Sequence, residues 1–208
     1  MNTTKDDVKF DHENLTGVFP VSGDHLERLT ARLAGAADAE GLLDVALRTV
    51  ETPVGRLLLA ATPIGLVRVA YEREGLDDVV AALAERVSVR VLEAPARLDD
   101  AARQFEEYFA GRRHRFDLVL DHRLSVGFRD QVQRFLPTIA YGQTMSYKQV
   151  AEQVGRPTAV RAVGTACATN PLPVVVPCHR VTRSDGSMGG YVGGLEAKAA
   201  LLELERAA

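Results

Sequence analysis

The chain has 208 residues, 46% of them hydrophobic and 25% charged, with a formal net charge of −3. This is the composition of one soluble domain or two small ones, and it excludes a disordered, collagen-like or coiled-coil protein. No apolar run is long enough for a membrane span and Met1 to Asn14 is too polar for a secretion signal, so a cytoplasmic protein is expected.

Residues 1–44 read as an extension of unknown role. Within them Asp24–Ala34 is predicted as a short helix with Leu26, Leu29 and Leu33 on one face and Asp24 as N-cap, and the Ala-Gly-Ala-Ala-Asp stretch that follows reads as a linker. Residues 45–121 read as a small α+β unit. Val45–Val50, Arg56–Ala61 and Leu66–Tyr71 are predicted strands separated by Pro/Gly turns, the pattern of an antiparallel meander. Leu76–Arg86 follows as a helix with Val79, Val80 and Leu83 inward, then a strand over Val87–Leu92 and a helix over Ala101–Phe109 carrying Phe105, Tyr108 and Phe109 on its apolar face. No nucleophile or phosphate loop occurs here, so the unit reads as scaffold.

Residues 122–208 differ. Gly127–Leu136 is helical in pattern, with Phe128, Val132 and Phe135 on one face. Ser146 can cap a helix over Tyr147–Val154, which Gly155-Arg156-Pro157 would end, and Thr158 can cap a second helix over Ala159–Ala168. Two short helices joined by a tight turn suggest a helix-turn-helix. In the second helix Ala159, Ala162, Val163 and Ala166 form the expected buried face. The opposite face carries Arg161, Gly164, Thr165 and Ala168, small residues that suit close approach to a nucleic acid or burial on both sides. Between Arg129 and Arg183 stand seven basic residues against two acidic ones, a local hint of a polyanion partner in an acidic chain.

Chemistry concentrates in Leu172-Pro173-Val174-Val175-Val176-Pro177-Cys178-His179-Arg180-Val181. The β-branched run is predicted to be a buried extended segment that carries Cys178 inward. Apolar burial raises a thiol pKa, whereas the adjacent His179 and Arg180 favour the nucleophilic thiolate. Cys167, among Ala and Thr on the second helix, reads as a packing residue. Two cysteines are too few for a disulfide framework and no Cys or His spacing resembles a zinc site, so no metal and no cofactor are expected.

Pro177-Cys178-His179-Arg180 resembles the active-site signature of the O6-alkylguanine-DNA alkyltransferases (methylated-DNA–protein-cysteine methyltransferases). The resemblance extends through Ser146-Tyr147, Gly155-Arg156-Pro157, Ala159 to Gly164, Asn170-Pro171, Gly189-Gly190-Tyr191, Gly193-Gly194-Leu195, Lys198 and Leu201 to Glu205. It is strong over about 128–206, loose over 45–121, and absent over 1–44. It implies an α+β fold: an N-terminal antiparallel sheet-plus-helix domain over 45–121, then a mostly helical, winged-helix-like catalytic domain over 122–208.

The resemblance also implies roles. Cys178 would take the alkyl group from guanine O6 in an in-line displacement and be spent. His179 would act as general base through a water, with Glu205 holding its tautomer at the edge of a last helix whose apolar face is Leu195, Ala199 and Leu202. On residues alone, Glu205 reads better as a solvated acid of the terminal helix. Tyr147 would donate to the leaving guanine at N3, and Asn170 would be the hinge that ties the recognition helix to the active-site segment. Arg161 would fill the stack vacated by the flipped base, since a planar guanidinium can stack. Gly164, Thr165 and Ala168 would lie against the minor groove of double-stranded DNA, with Arg156 and Arg180 adding charge. Tyr191, Val192, Pro173, Val181 and Tyr147 would wall the substrate pocket; Tyr147 and Tyr191 read otherwise as packing aromatics. Val192 stands where some members have serine, which leaves only its backbone N–H for O6. A monomer is expected. The competing readings are a non-catalytic lesion binder, which the presence of Cys178 opposes, and a DNA-binding regulator of the alkylation response. A cysteine hydrolase would place its His far from the Cys in sequence.

Overall fold

The computed structural model describes residues 23–207, and the elements below are those of this span. The expected cap Asp24 has no described side chain, and the polar N-terminal stretch lies outside the described residues. Helix α1 (Gly23–Ala39) runs through the stretch read as a linker. Alanine is the best helix former, so three alanines there carry the helix through Gly35. Ala34 and Ala37 are its buried residues, while Leu26, Leu29 and Leu33 face outward. The face of α1 that joins the core is thus the alanine one and not the leucine stripe.

Strands β1 (Val45–Val50), β2 (Leu57–Ala61) and β3 (Leu66–Tyr71) form the predicted antiparallel meander. After α2 (Leu76–Arg86), β4 (Val91–Glu93) returns beside β1 in parallel, so the sheet order is β3-β2-β1-β4. The predicted strand over Val87–Leu92 is thus shorter, later and parallel. Helix α3 (Asp99–Phe109) closes this half.

Every residue of β2 is buried, because the two faces of the sheet serve two cores. Leu58 and Ala60 pack with Val79 and Leu83 of α2. Leu57, Leu59 and Ala61 turn the other way, into a core that also holds Phe105 and Tyr108. Successive strand side chains point to opposite faces, which makes this division possible. The second core continues without interruption into the C-terminal half through Val132, Leu136, Val150, Val163, Leu172 and Leu201, and it contains Cys178.

That half comprises α4 (Phe128–Phe135), β5 (Met145–Ser146), α5 (Tyr147–Gln153), α6 (Val160–Ala168), β6 (Val181–Thr182) and α7 (Gly194–Ala207). Ser146 caps α5 through the Gln149 N–H, and the Gln149 side chain returns the bond to the Ser146 N–H. Gly155 ends α5 at φ +74, and the Arg156 N–H reaches back to the Ala151 carbonyl (2.9 Å). Only glycine adopts that left-handed conformation without strain. Thr158 does not cap α6; Ala159 occupies the N-cap with no side-chain bond. The buried face of α6 is Val163, Ala166 and Cys167, with Ala162 exposed. Cys167 turned inward and Ala162 turned outward rotate the expected stripe.

Candidate active site

Asn170 organises the segment between α6 and Cys178. Its amide N–H donates to the Val176 carbonyl (2.8 Å) and toward Cys178 Sγ (3.2 Å), and its Oδ1 accepts from the Leu172 N–H (3.0 Å). One buried side chain thus clamps both ends of the valine run. The run is a turn, not the predicted extended segment. The Val176 N–H bonds the Leu172 carbonyl, and Val174 sits at φ +73. A β-branched residue is strained in that region. The Asn170 clamp and burial of Leu172, Val174 and Val176 hold it there.

Cys178 begins a single 3-10 turn, Cys178–Arg180, that leads into β6. β6 pairs in parallel with β5, with Ser146 opposite Thr182. This two-residue pairing brings Tyr147, at the start of α5, to the active-site segment. Tyr147 lies over Gly189, whose added Cβ would fall 2.3 Å from the Tyr147 hydroxyl.

Burial raises the Cys178 thiol to about 11, against smaller opposing effects of the Asn170 hydrogen bond and the Lys198 charge. The expectation that His179 and Arg180 hold a resting thiolate is therefore corrected. Arg180 faces away from the thiol. Its Nε and Nη2 donate to both oxygens of Glu205 (2.9 and 2.8 Å), and its Nη1 donates to the Ile139 carbonyl (2.6 Å). At 6% exposure it is not a DNA contact, which corrects a second expectation. A guanidinium fork matches a carboxylate bidentately, and that fit places Arg180 inside.

Glu205 is buried on α7, and its Oε1 also accepts from His179 Nε2 (2.8 Å) and the Tyr108 hydroxyl (2.6 Å). Burial would raise its pKa, but the bonds from His179 and Arg180 outweigh it and hold the carboxyl well below the usual range. Burial lowers the His179 pKa, against the pull of Glu205. The neutral imidazole then carries its proton on Nε2, toward Glu205. Nδ1 is left buried with no partner in the protein, available as an acceptor. Helix α7 presents Ala197, Lys198, Leu201, Leu202 and Glu205 inward, with Leu195 exposed, a face rotated from the one predicted. The charged Lys198 shares that face because its Nζ donates to the Val181 carbonyl (2.6 Å).

A cavity of about 390 Å³ is lined by Tyr147, Gly164, Ala168, Arg183, Gly189, Gly190, Tyr191 and Val192. Pro173 and Val181 are buried outside that lining. Arg161, Thr165 and Ala168 are exposed on α6, Gly164 is half-exposed, and Arg156 is exposed with its guanidinium 5.5 Å from the Phe128 ring centre. The helix face and the cavity therefore meet at Gly164 and Ala168.

Two models of the 6-O-methylguanine DNA methyltransferase family match the chain. The ribonuclease-like domain covers residues 45–122 and the DNA-binding domain covers 127–207. The methylated-DNA–protein-cysteine methyltransferase of Mycolicibacterium paratuberculosis is 43% identical over 166 residues, 76% of this chain and 91% of the relative. This chain belongs to the methylated-DNA–protein-cysteine methyltransferase family. The constitutive Bacillus subtilis methyltransferase is 39% identical, over 76% of this chain and 93% of its own length. Among solved structures, the Mycobacterium tuberculosis O6-methylguanine methyltransferase superposes with a TM-score of 0.70 at 37% identity, covering 78% of this chain and 93% of that one. A Mycobacterium tuberculosis OGT structure in complex with DNA gives 0.67 at 38%. The α+β architecture, with a helical DNA-binding domain after the sheet domain, is that of the family.

Three contributors to the methyltransferase site escaped the sequence reading. Arg183 lines the cavity, while Tyr71 and Tyr108 reach the site from the N-terminal half. For Tyr108 a signal existed. A tyrosine on an otherwise apolar helix face must find a partner for its hydroxyl once buried.

The site makes stability fall at both ends of the pH scale. As pH drops below about 6.5 the unfolded chain binds the His179 proton that the folded chain refuses, and below about 4.5 the same holds for Glu205. Above about 9 the unfolded Cys178 loses its proton first, because the folded thiol is held up. Denaturation midpoints should therefore be highest between these limits, and Cys178→Ala should make the alkaline arm shallower, with Cys167 and the buried tyrosines supplying the rest. An alkaline arm unchanged in that variant would remove the raised thiol.

Proposed function

We propose that the protein repairs DNA by moving the alkyl group of O6-alkylguanine onto Cys178, once per molecule. The observation that carries this reading is the cluster around one sulfur. Asn170 holds it at 3.2 Å, and the neighbouring His179 has one nitrogen on Glu205 and the other free. In the reaction the Cys178 proton passes to His179, and the sulfur–carbon bond forms as the carbon–O6 bond breaks. The electron pair returns to guanine, which regains one proton overall. Burial keeps the Tyr147 hydroxyl protonated, suited to donating a hydrogen bond to the departing base. The product thioether is a poor electrophile, so the sulfur is not regenerated. The same reading takes residues 45–121 as scaffold and 122–208 as the reacting and DNA-binding domain, in a cytoplasmic monomer.

The substrate is a base inside a duplex, which must be flipped out to reach a buried sulfur. The small residues Gly164 and Ala168 join the α6 surface to the cavity, which supports α6 lying along the minor groove with the flipped base entering beside it. Arg161, exposed on that surface, fills the gap left in the stack. The decisive experiment is intact mass after incubation with duplex carrying O6-methylguanine. One added methyl on Cys178 is expected, and an unmodified Cys178 would overturn the reading.

Arg161→Ala separates flipping from chemistry. Unstacking takes a few kcal/mol, so losing the side chain that fills the gap should slow single-turnover repair at saturating duplex by about tenfold or more. Reaction with free O6-benzylguanine should barely change. A phosphate-binding arginine predicts instead a deficit that vanishes at saturation.

A further inference from the structure

The N-terminal half reaches the cavity wall at Tyr71. Tyr71 ends β3, and its hydroxyl lies 3.0 Å from that of Tyr191. The two rings meet edge to face, with centroids 5.8 Å apart and planes at 77°. On its other side the Tyr191 ring meets His179 in the same manner, at 6.3 Å and 83°. Tyr191 lines the cavity, so the ring between the His179 imidazole and the N-terminal half is also one of the cavity's walls. The loop after Tyr191 runs directly over Tyr71. A Cβ at Gly193 would fall 2.5 Å from the Tyr71 ring, and one at Gly194 would fall 2.0 Å from the Arg73 guanidinium.

Tyr71 is itself held. Its N–H donates to Glu74 Oε1 (2.8 Å), the other Glu74 oxygen pairs with Arg68, and Arg68 Nη1 donates to the Pro171 carbonyl (3.3 Å). The Val69 N–H donates to the same carbonyl (2.8 Å). β3 therefore grips both the turn that leads to Cys178 and the loop that carries Tyr191. The Tyr71 side chain is buried and the hydroxyl pair is satisfied within the protein.

We infer that Tyr71 is a specificity-determining residue: it fixes Tyr191 as a wall of the cavity and thereby sets the size of alkyl group that reaches Cys178. The inference rests on the alkyl-transfer reading above. Edge-to-face packing on two sides confines the plane of the Tyr191 ring, and the hydroxyl pair confines its tilt. Removing the Tyr71 hydroxyl frees the tilt and leaves the ring contact in place. A methyl group gains nothing from the added room and loses lateral support. A benzyl group gains the room.

The test compares transfer rates for duplexes carrying O6-methylguanine and O6-benzylguanine, in the wild type and in Tyr71→Phe. The benzyl-to-methyl rate ratio should rise by about threefold or more, the scale of one neutral hydrogen bond. Tyr191→Phe should raise the ratio similarly, and the double variant should add little, because both changes remove the same hydroxyl contact. Tyr71→Phe preserves the ring and should fold, and its denaturation midpoint verifies this. A ratio that rises less than about threefold, including an equal loss for both substrates, overturns the inference. A wild-type protein that transfers neither group to Cys178 would instead overturn the function on which it rests.

Discussion

Cys178→Ala should abolish alkyl transfer while leaving the fold and the DNA affinity intact. Cys178 is 2% exposed at the start of a 3-10 turn, and its neighbours are secured without it. Asn170 still clamps Val176 and Leu172, and the Glu205 network does not include the sulfur. Deleting one buried sulfur destabilises by about 1 kcal/mol, within the ordinary range of point variants. No other thiol can replace it. Cys167 is buried on α6, and desolvation holds its pKa far above the ordinary thiol value, so it stays protonated and inert. Intact-mass measurement with alkylated duplex should show one added alkyl group on the wild type and none on the variant. Residual transfer, or label on Cys167, would show that the nucleophile has been misassigned.

Arg180→Ala should be the most destabilising single change at the site, by about 3–5 kcal/mol, because it leaves a buried carboxylate without its cation. Arg180 bonds both oxygens of Glu205 and the Ile139 carbonyl, which lies outside the active-site segment. Without it, Glu205 keeps the bonds from His179, Tyr108 and the Gly142 N–H, three donors with no permanent charge. The carboxylate then draws a proton onto His179, and a protonated imidazole cannot accept one from Cys178. Transfer should fall most steeply on the acid side. Arg180→Lys should rescue little, since an ammonium cannot span two oxygens and a carbonyl with one planar fork. The salt dependence of DNA binding should not change, because this arginine touches no surface. A normal denaturation midpoint with a shallower salt slope would return Arg180 to the DNA interface.

What could be read from the sequence was local. Ser146 and Gly155 mark the ends of α5 because a capping hydroxyl and a left-handed glycine act on their own few residues. The meander of β1 to β3 follows from alternation and Pro/Gly turns, again short-range. The adjacent Cys178-His179 needs no fold to be suggestive, and its surrounding motifs name the family. By contrast, the inward faces of α6 and α7 depart from the sequence pattern. Each depends on which neighbour a helix meets, and a periodic pattern leaves that choice open.

The sequence by itself determined the family, the proposed acceptor sulfur only as one of two thiols made unequal by their neighbours, and the two-part α+β plan. The tertiary structure decided the electrostatics. Of three residues that follow one another, Cys178 meets Asn170, while His179 and Arg180 both turn to Glu205, which leaves the second nitrogen of His179 free and lets Arg180 reach Ile139 as well. Adjacency in sequence does not convey direction in a tight turn, so nothing beside Arg180 in the chain distinguishes a DNA contact from a partner of Glu205, 25 residues later. Tyr71 and Tyr108 lie more than ninety residues from their partners, separated by 120 and 97 positions, and no local pattern records such a pairing. Only a core shared by both halves of the chain brings those hydroxyls to the site, because burial forces each one to find a polar partner wherever the packing leaves it.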